Sequence, residues 1–298
     1  MALYQMKRLL ILSISKINNY FNNLYTYIDS LEDLAYLNEE LLKSPYLGVD
    51  TEFRRTTKDN MQLALLQVND AEEIYLIDTI SIGEPESHAD FLFSKSVLKI
   101  LHSCKEDLEA IYAWTDREIK NIFDTQIANA LLNGNFSIGY QSLVQQELDI
   151  VLNKSETRSN WLRRPLSESQ LKYAALDVEY LIHIYKIQEK ELTNSSKLVW
   201  HNEDIERLLN ITFSPENDLK ELQRNISQAQ EIELLGEFNM LVEEISKDKK
   251  INPTFFFSKK AQKDFLRLVF KDGLDSACEK ITPWRSKLIK KEILNLVK

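Results

Sequence analysis

The sequence is poor in the residues that mark several common protein classes. Its 298 residues include six glycines, six prolines and two cysteines. So little glycine and proline excludes collagen-like and low-complexity chains. The cysteines, Cys104 and Cys278, lie far apart and fit neither a metal-ligand spacing nor a disulfide framework. This cysteine usage favours a reducing compartment, and we expect a cytoplasmic protein.

Long apolar runs and an excess of basic charge are also missing. No apolar run approaches the ~18 residues that a membrane helix needs, so we expect no membrane association. The net charge of −9 argues against a protein that coats nucleic acid non-specifically, but it permits an enzyme that contacts a few phosphates. With 44% hydrophobic and 28% charged residues, the chain has a globular profile and enough length for two domains.

The first 22 residues contain Lys7, Arg8 and Lys16 and no acidic residue. A signal peptide is one interpretation, but the apolar run that follows the bases is short and no A-x-A cleavage site is present. We favour an N-terminal extension over residues 1–24 with little ordered structure, or a misplaced start codon.

Apolar spacing downstream predicts an α/β or α+β domain followed by a helical one. Strands of a meander are expected at 46–53, 61–69 and 73–79, and helices at 29–44, 104–115, 142–149 and 167–192. Residues 94–101 are expected to lead into a short strand that ends near His102. Residues 121–133 predict a strand end followed by a helix that Asp124 caps. Strands that then alternate with helices are typical of a layered α/β fold. We therefore predict domains over 25–195 and 196–298, the second entirely helical.

Four acidic residues and one tyrosine carry the chemical signal. Asp50 and Glu52 are two apart on a strand and share a face, whereas Asp107 lies in the first turn of a helix. Tyr173 and Asp177 are four apart on another helix and also share a face. Carboxylate oxygens are the ligands that Mg²⁺ and Mn²⁺ prefer, and two such ions can clamp a phosphodiester.

Each of these signals also has an interpretation without function. A D-x-E strand is commonly a solvated sheet edge, and an acid in the first turn of a helix favours the helix dipole. The tyrosine and aspartate could form an ordinary surface pair. Spacing alone does not show that the three segments converge.

The motifs resemble those of a known family. "VDTEFRR", "LHSCKEDLEAIY" and "YAALDVEYL" resemble the three motifs of the DEDD exonuclease superfamily, in its tyrosine subclass. "IFDTQIANALL" and "LNKSETRSNWLRRPLSESQLKYAALDVEYL" are similar to the ribonuclease D family in particular. The resemblance covers roughly residues 25–195. It implies a ribonuclease-H-like 3′-5′ exonuclease fold, with a mixed sheet flanked by helices.

The resemblance also implies an activity and roles for the five residues. A monomeric enzyme would hydrolyse RNA 3′ ends, notably of tRNA precursors, with two Mg²⁺ or Mn²⁺ ions, and release nucleoside 5′-monophosphates. Asp50 would bridge the two ions. Glu52 and Asp177 would complete the ligand set of the first ion, and Asp107 would bind the second ion. Tyr173 would orient the attacking water. A DNA-directed exonuclease and a non-catalytic RNA-binding module remain the alternatives.

Further positions are predicted with less specificity. The candidate substrate contacts are Arg55, His102, Trp161, Arg163 and Arg164. For the tryptophan and the two arginines beside it, packing of their own loop explains the sequence equally well, and packing explains His102 better than metal ligation.

The sequence also departs from the family. Asp59-Asn60-Met61 replaces a Tyr-Tyr-Pro-like stretch, and Asn160 replaces an aspartate. "INPTFFFSKKAQKDFLRLV" and "ITPWRSKLIKKEIL" resemble part of a helical HRDC domain, and we expect one such domain in the tail.

Overall fold

One mixed sheet is present in the computed structural model, which describes residues 24–57, 60–152, 159–213 and 226–297. Its strands are β1 (Thr26–Ile28), β2 (Tyr46–Thr57), β3 (Asn60–Asn69), β4 (Ile74–Ile77), β5 (Leu98–Leu101) and β6 (Ile122–Asp124). They are arranged in the order β1-β4-β3-β2-β5-β6. The predicted extension over residues 1–24 lies outside these ranges except for Leu24, and so does Asp59.

The predicted meander is present, because β2, β3 and β4 pair antiparallel in sequence order. β5 runs parallel to β2, so the carboxyl ends of these two strands point the same way. β3 is buried from Leu63 to Asn69, which explains its almost continuous apolar sequence. β1 was not predicted, because its three residues are too few to show alternation and its place depends on parallel pairing with β4.

The helices in chain order are α1 (Leu31–Leu41), α2 (Thr79–Ile82), α3 (Lys105–Thr115), α4 (Thr125–Leu131), α5 (Tyr140–Leu148), α6 (Glu168–Glu179), α7 (Leu181–Asn194), α8 (Leu198–Phe213), α9 (Gln228–Lys249), α10 (Pro253–Phe256), α11 (Lys259–Asp272), α12 (Leu274–Glu279) and α13 (Pro283–Leu296). Local capping signals predicted several starts correctly. Ser30 caps α1, and Asp124 accepts hydrogen bonds from two backbone N–H groups of α4. No helix in the described ranges is long and apolar enough to cross a membrane.

The single helix predicted over 167–192 is wrong, because two helices occupy this stretch. α6 ends at Glu179 and α7 begins at Leu181. The side-chain amide of Asn69 donates to the backbone carbonyl oxygens of Val178 (3.0 Å) and Glu179 (3.1 Å). These carbonyl groups therefore accept hydrogen bonds from a residue of the sheet at the point where the helix is interrupted. Helical periodicity does not reveal this long-range contact.

The chain divides into two compact units. The first contains residues up to Ile122 and Leu148–His183, and the second contains Phe123–Glu147 and residues from Ile184 onward. The first unit holds most of the sheet, with α3 and α6 packed against β2 and β3. The mixed sheet and its flanking helices confirm the predicted fold class.

The second unit is helical, as predicted for the tail. Its core is aromatic: the rings of Trp200 and Trp284 stack with centroids 4.8 Å apart, and Phe256 packs on Trp284. The buried ammonium group of Lys197 donates to the carbonyl oxygens of Leu131 and Lys250, at 2.7 Å each. Two helix carboxyl ends, those of α4 and α9, are thereby held by one side chain.

Candidate active site

β2 presents its two acids to the helix that carries the third motif. Gly48, Asp50 and Glu52 are two residues apart along β2 and therefore share one face of the strand. A Cβ atom at Gly48 would lie 3.2 Å from both the Cβ of Leu181 and the carbonyl oxygen of Val178. Glycine avoids this tight contact, and the contact places the α6–α7 junction over the acid face.

α6 is anchored at both ends. Ser167 and Gln170 form a reciprocal capping box at its start, and Asn69 binds the carbonyl groups at its end. Tyr173 and Asp177, one turn apart between these anchors, interact through a hydrogen bond between their side chains. The helix therefore holds both residues in fixed positions above β2.

Asp107 reaches the same region from the other side of β2. β5 is parallel to β2 and leads into α3, so the first turn of α3 lies near the carboxyl end of β2. The Asp107 side chain is buried, and the hydroxyl group of Thr51 donates a hydrogen bond to it. Thr51 is not among the site residues predicted from the sequence. Its position between the two acids of the first motif was the available signal.

The carboxyl groups influence one another strongly. Burial raises the pKa of Asp50 well above its usual value, and the charges of Asp107, Asp177 and Glu52 raise it further. Burial and the charges of Asp177 and Asp107 raise the pKa of Glu52 to about 9. Burial raises the pKa of Asp177 to about 7, although the hydrogen bond from Tyr173 opposes the shift. The structure therefore brings the four predicted acids together.

Within the described ranges, neither lysine nor arginine forms an ion pair with Asp50, Glu52 or Asp177. These three carboxyl groups are half-buried and Asp107 is buried, and such a group without a cation is costly. Their oxygen atoms match the ligand preference of Mg²⁺ and Mn²⁺, so the donor chemistry fits divalent ions. In the described ranges no three acidic, histidine or cysteine side chains stand close enough to hold an ion.

Two of the predicted substrate contacts are engaged within the fold. Arg55 forms ion pairs with Glu109 and with Glu106 (3.7 Å), which tie β2 to α3. Arg164 donates to both carboxylate oxygens of Asp78 (2.6 and 2.5 Å) and to the carbonyl oxygen of Ala64 (2.7 Å). These bonds favour a structural role for Arg164 over contact with a phosphate.

The other three candidates differ in exposure. Trp161 is only 6% exposed, and its ring lies 6.1 Å from that of Tyr173, which favours packing over stacking on a base. Arg164 donates to the carbonyl oxygen of Trp161 and so holds this loop against the first unit. Arg163 is exposed and free to reach a ligand, and His102 is half-buried between β5 and α3. These roles stay predictions.

A comparison with protein families matches residues 25–193 to the 3′-5′ exonuclease family. The chain belongs to the 3′-5′ exonuclease family. The matched range contains the four acids and Tyr173, so the members of the proposed site lie inside the family domain. It ends before the helical tail.

Curated relatives of this exonuclease are named ribonuclease D, which confirms the resemblance in the motifs. That of Xanthomonas oryzae pv. oryzae is 44% identical over 163 residues, covering 55% of this chain and 45% of the relative. That of Pseudomonas paraeruginosa is 39% identical over 193 residues, covering 65% and 51%. The chain therefore spans about half the length of the curated relatives that it matches.

Solved structures support the same fold. Escherichia coli RNase D, described as an exoribonuclease involved in structured RNA processing, matches with a TM-score of 0.62 and 27% identity, over 92% of this chain and 74% of that one. NrnC of Brucella melitensis with bound Mg²⁺ matches with a TM-score of 0.57 and 20% identity, over 66% of this chain and 98% of that one. The second likeness concerns the fold alone.

Proposed function

We propose that this exonuclease is a ribonuclease D-type enzyme that hydrolyses RNA from the 3′ end and releases nucleoside 5′-monophosphates. The observation that carries the proposal is the group of four carboxyl groups. Asp107 is buried, and the other three are half-buried without a basic partner in the described ranges. A purely structural role would require compensating cations, whereas two divalent ions would supply them and the chemistry at once.

The four acidic residues would act as the metal ligands. Asp50, whose carboxyl group interacts with those of the other three acids, would hold divalent ions together with Glu52, Asp107 and Asp177. When bound, Mg²⁺ or Mn²⁺ activates a water molecule and stabilises charge on the leaving oxygen of the phosphodiester. The ions would also remove the repulsion among the carboxylates.

Tyr173 would act through its phenol group. Its hydrogen bond to Asp177 holds that carboxylate in one orientation. The ring of Trp161 lies against it, and Arg164 fixes Trp161 through a backbone hydrogen bond. The phenol is therefore held in place and would orient the attacking water.

RNA is the proposed substrate, and tRNA precursors with 3′ trailers are the proposed class. The names of the relatives support RNA, as does the description of the Escherichia coli protein as a processor of structured RNA. The exposed Arg163 is a candidate for phosphate contact. We further propose that the enzyme acts as a monomer in the cytoplasm.

A digestion assay tests the proposal. A tRNA with a labelled 3′ trailer would be incubated with the full chain and Mg²⁺ or Mn²⁺, with EDTA and Asp50→Asn as controls. We expect shortening from the 3′ end, nucleoside 5′-monophosphate products, and no reaction in either control. Single-stranded DNA of the trailer sequence serves as competitor: faster digestion of DNA would reassign the substrate. Absence of any digestion would remove the enzymatic function.

A further inference from the structure

Gln67 is a fully buried amide side chain whose two polar atoms have no hydrogen-bond partner among the residues that the structure describes. Buried polar groups in proteins are nearly always hydrogen-bonded. The flanking positions of β3, Leu66 and Val68, are apolar and equally buried. A leucine or methionine would fill the same space and leave no polar atom unbonded. Packing alone therefore does not explain the amide at this position.

The sheet places this amide beside the carboxylate group. Gln67 pairs directly with Asp50 across β2 and β3, and side chains of directly paired residues lie on the same face. Asn69, two residues on and therefore on that face too, donates to the carbonyl groups of Val178 and Glu179. Gln67 thus lies beneath α6, next to Asp50.

An amide donor suits this position because it carries no charge. An arginine there would orient Asp50 but would also neutralise it, as Arg164 does for Asp78. A glutamine N–H group can fix the orientation of a carboxylate and leave its full negative charge for divalent ions. Hydrogen bonds of this kind to metal-bound carboxylates raise metal affinity.

We infer that Gln67 is a positioning residue that donates from its side-chain amide to the Asp50 carboxylate when divalent ions are bound. The inference rests on the proposed metal-dependent function. It gives the buried amide a partner in the ion-bound enzyme, and it adds a residue of β3 to a site otherwise built from β2, α3 and α6.

The test is the affinity for Mn²⁺, measured by calorimetry on the full chain, together with the melting temperature in EDTA. Gln67→Met keeps the size and flexibility of the side chain and removes the donor. We expect roughly ten-fold weaker Mn²⁺ binding. The melting temperature in EDTA should be unchanged or higher, because two unbonded polar atoms disappear.

Gln188→Met is the matched control. Gln188 is also buried with an unbonded side-chain oxygen, but it belongs to the second unit, where its amide donates to the carbonyl oxygen of Thr125. This variant should leave Mn²⁺ affinity unchanged. If Gln67→Met yields no folded protein, Gln67→Leu applies the same criterion, since leucine is also apolar and lacks the donor.

The outcomes separate the inference from the function. A folded Gln67 variant that binds Mn²⁺ as tightly as the wild type would overturn the role of Gln67 and leave the proposed function standing. Wild-type protein that binds no Mn²⁺ and digests no RNA would overturn both.

Discussion

Two acids of the first unit, the half-buried Glu52 and the buried Asp78, have pKa values that are shifted in opposite directions. Burial raises the pKa of Glu52 to about 9, and neighbouring carboxylates add to the shift. Burial would also raise the pKa of Asp78, but hydrogen bonds from Arg164, Ser81 and Tyr27 outweigh it and lower the pKa to about 2. The environment of Asp78 therefore favours the charged carboxylate, whereas the environment of Glu52 opposes it.

The opposite directions of the two pKa shifts follow from the partners of the two acids. Asp78 is 1% exposed, yet it caps α2 and accepts from Arg164, so its charge is compensated within the chain. Among the described residues, the charges that act on Glu52 are those of Asp177 and Asp107, and no basic side chain there forms an ion pair with it. Burial of a carboxylate is thus weak evidence of function, whereas burial without a cation points to a ligand.

The substitution Glu52→Gln should have the largest effect. Removing one ligand oxygen and one charge from the group should lower the rate of RNA digestion about 10³-fold or more. The same change should raise the melting temperature in EDTA, because repulsion among the remaining acids decreases. Rate assays and thermal unfolding measure the two effects. An active variant, or one destabilised in EDTA, would contradict the assignment of Glu52.

Asp78→Asn is the same chemical change at the compensated acid and should act in the opposite sense. It leaves the guanidinium group of Arg164 without its charged partner at a site where Arg164 is 20% exposed. The expected loss is about 3 kcal/mol of unfolding free energy, measured by urea titration. Mn²⁺ affinity should stay close to that of the wild type. Equal stability of this variant and the wild type would show that the pair is not a structural element.

Tyr173→Phe should have a smaller effect than Glu52→Gln, because it leaves every carboxylate in place. It removes the hydrogen bond to Asp177 and the group that orients the water. We expect a 10- to 100-fold lower turnover with Mn²⁺ affinity nearly unchanged, as is typical for loss of one positioned hydrogen-bonding group. Single-turnover kinetics with saturating Mn²⁺ would measure it. Wild-type turnover would remove Tyr173 from the mechanism.

The strands and helix starts that were predicted correctly depend on local patterns in the sequence. Alternation located β2, an almost continuous apolar run located β3, and the cap at Asp124 marked the start of α4. The five site residues were found because their motifs resemble those of a known family. Spacing alone could not show that three separate segments converge.

The features that the sequence did not predict depend on contacts between distant segments. The break between α6 and α7 depends on Asn69, more than a hundred positions earlier in the chain. The structural role of Arg164 depends on Asp78, and the position of Gln67 beside Asp50 depends on strand register. None of these pairings leaves a periodic signal in the sequence.

The pH dependence of stability should show the same contrast in a single measurement. In the metal-free protein, the pKa values of Glu52 (about 9) and Asp177 (about 7) lie above their ordinary values of 4.5 and 3.8. The folded state then binds these protons more tightly than the unfolded chain. Their stabilisation, complete below about pH 4, is lost as the pH rises through the folded pKa values, by up to about 1.4 kcal/mol per pH unit for each proton.

Asp78 gives the reverse dependence, because its folded pKa of about 2 lies below 3.8. Its contribution is present above about pH 4 and is lost as the pH falls toward 2. Urea unfolding in EDTA should therefore show stability that decreases from about pH 5 to pH 9, with a separate loss in acid. Mn²⁺ should flatten the first slope, since bound ions replace the protons. Glu52→Gln should reduce that slope and Asp78→Asn only the acid limb, so a flat profile in EDTA would show that the carboxyl groups do not repel one another.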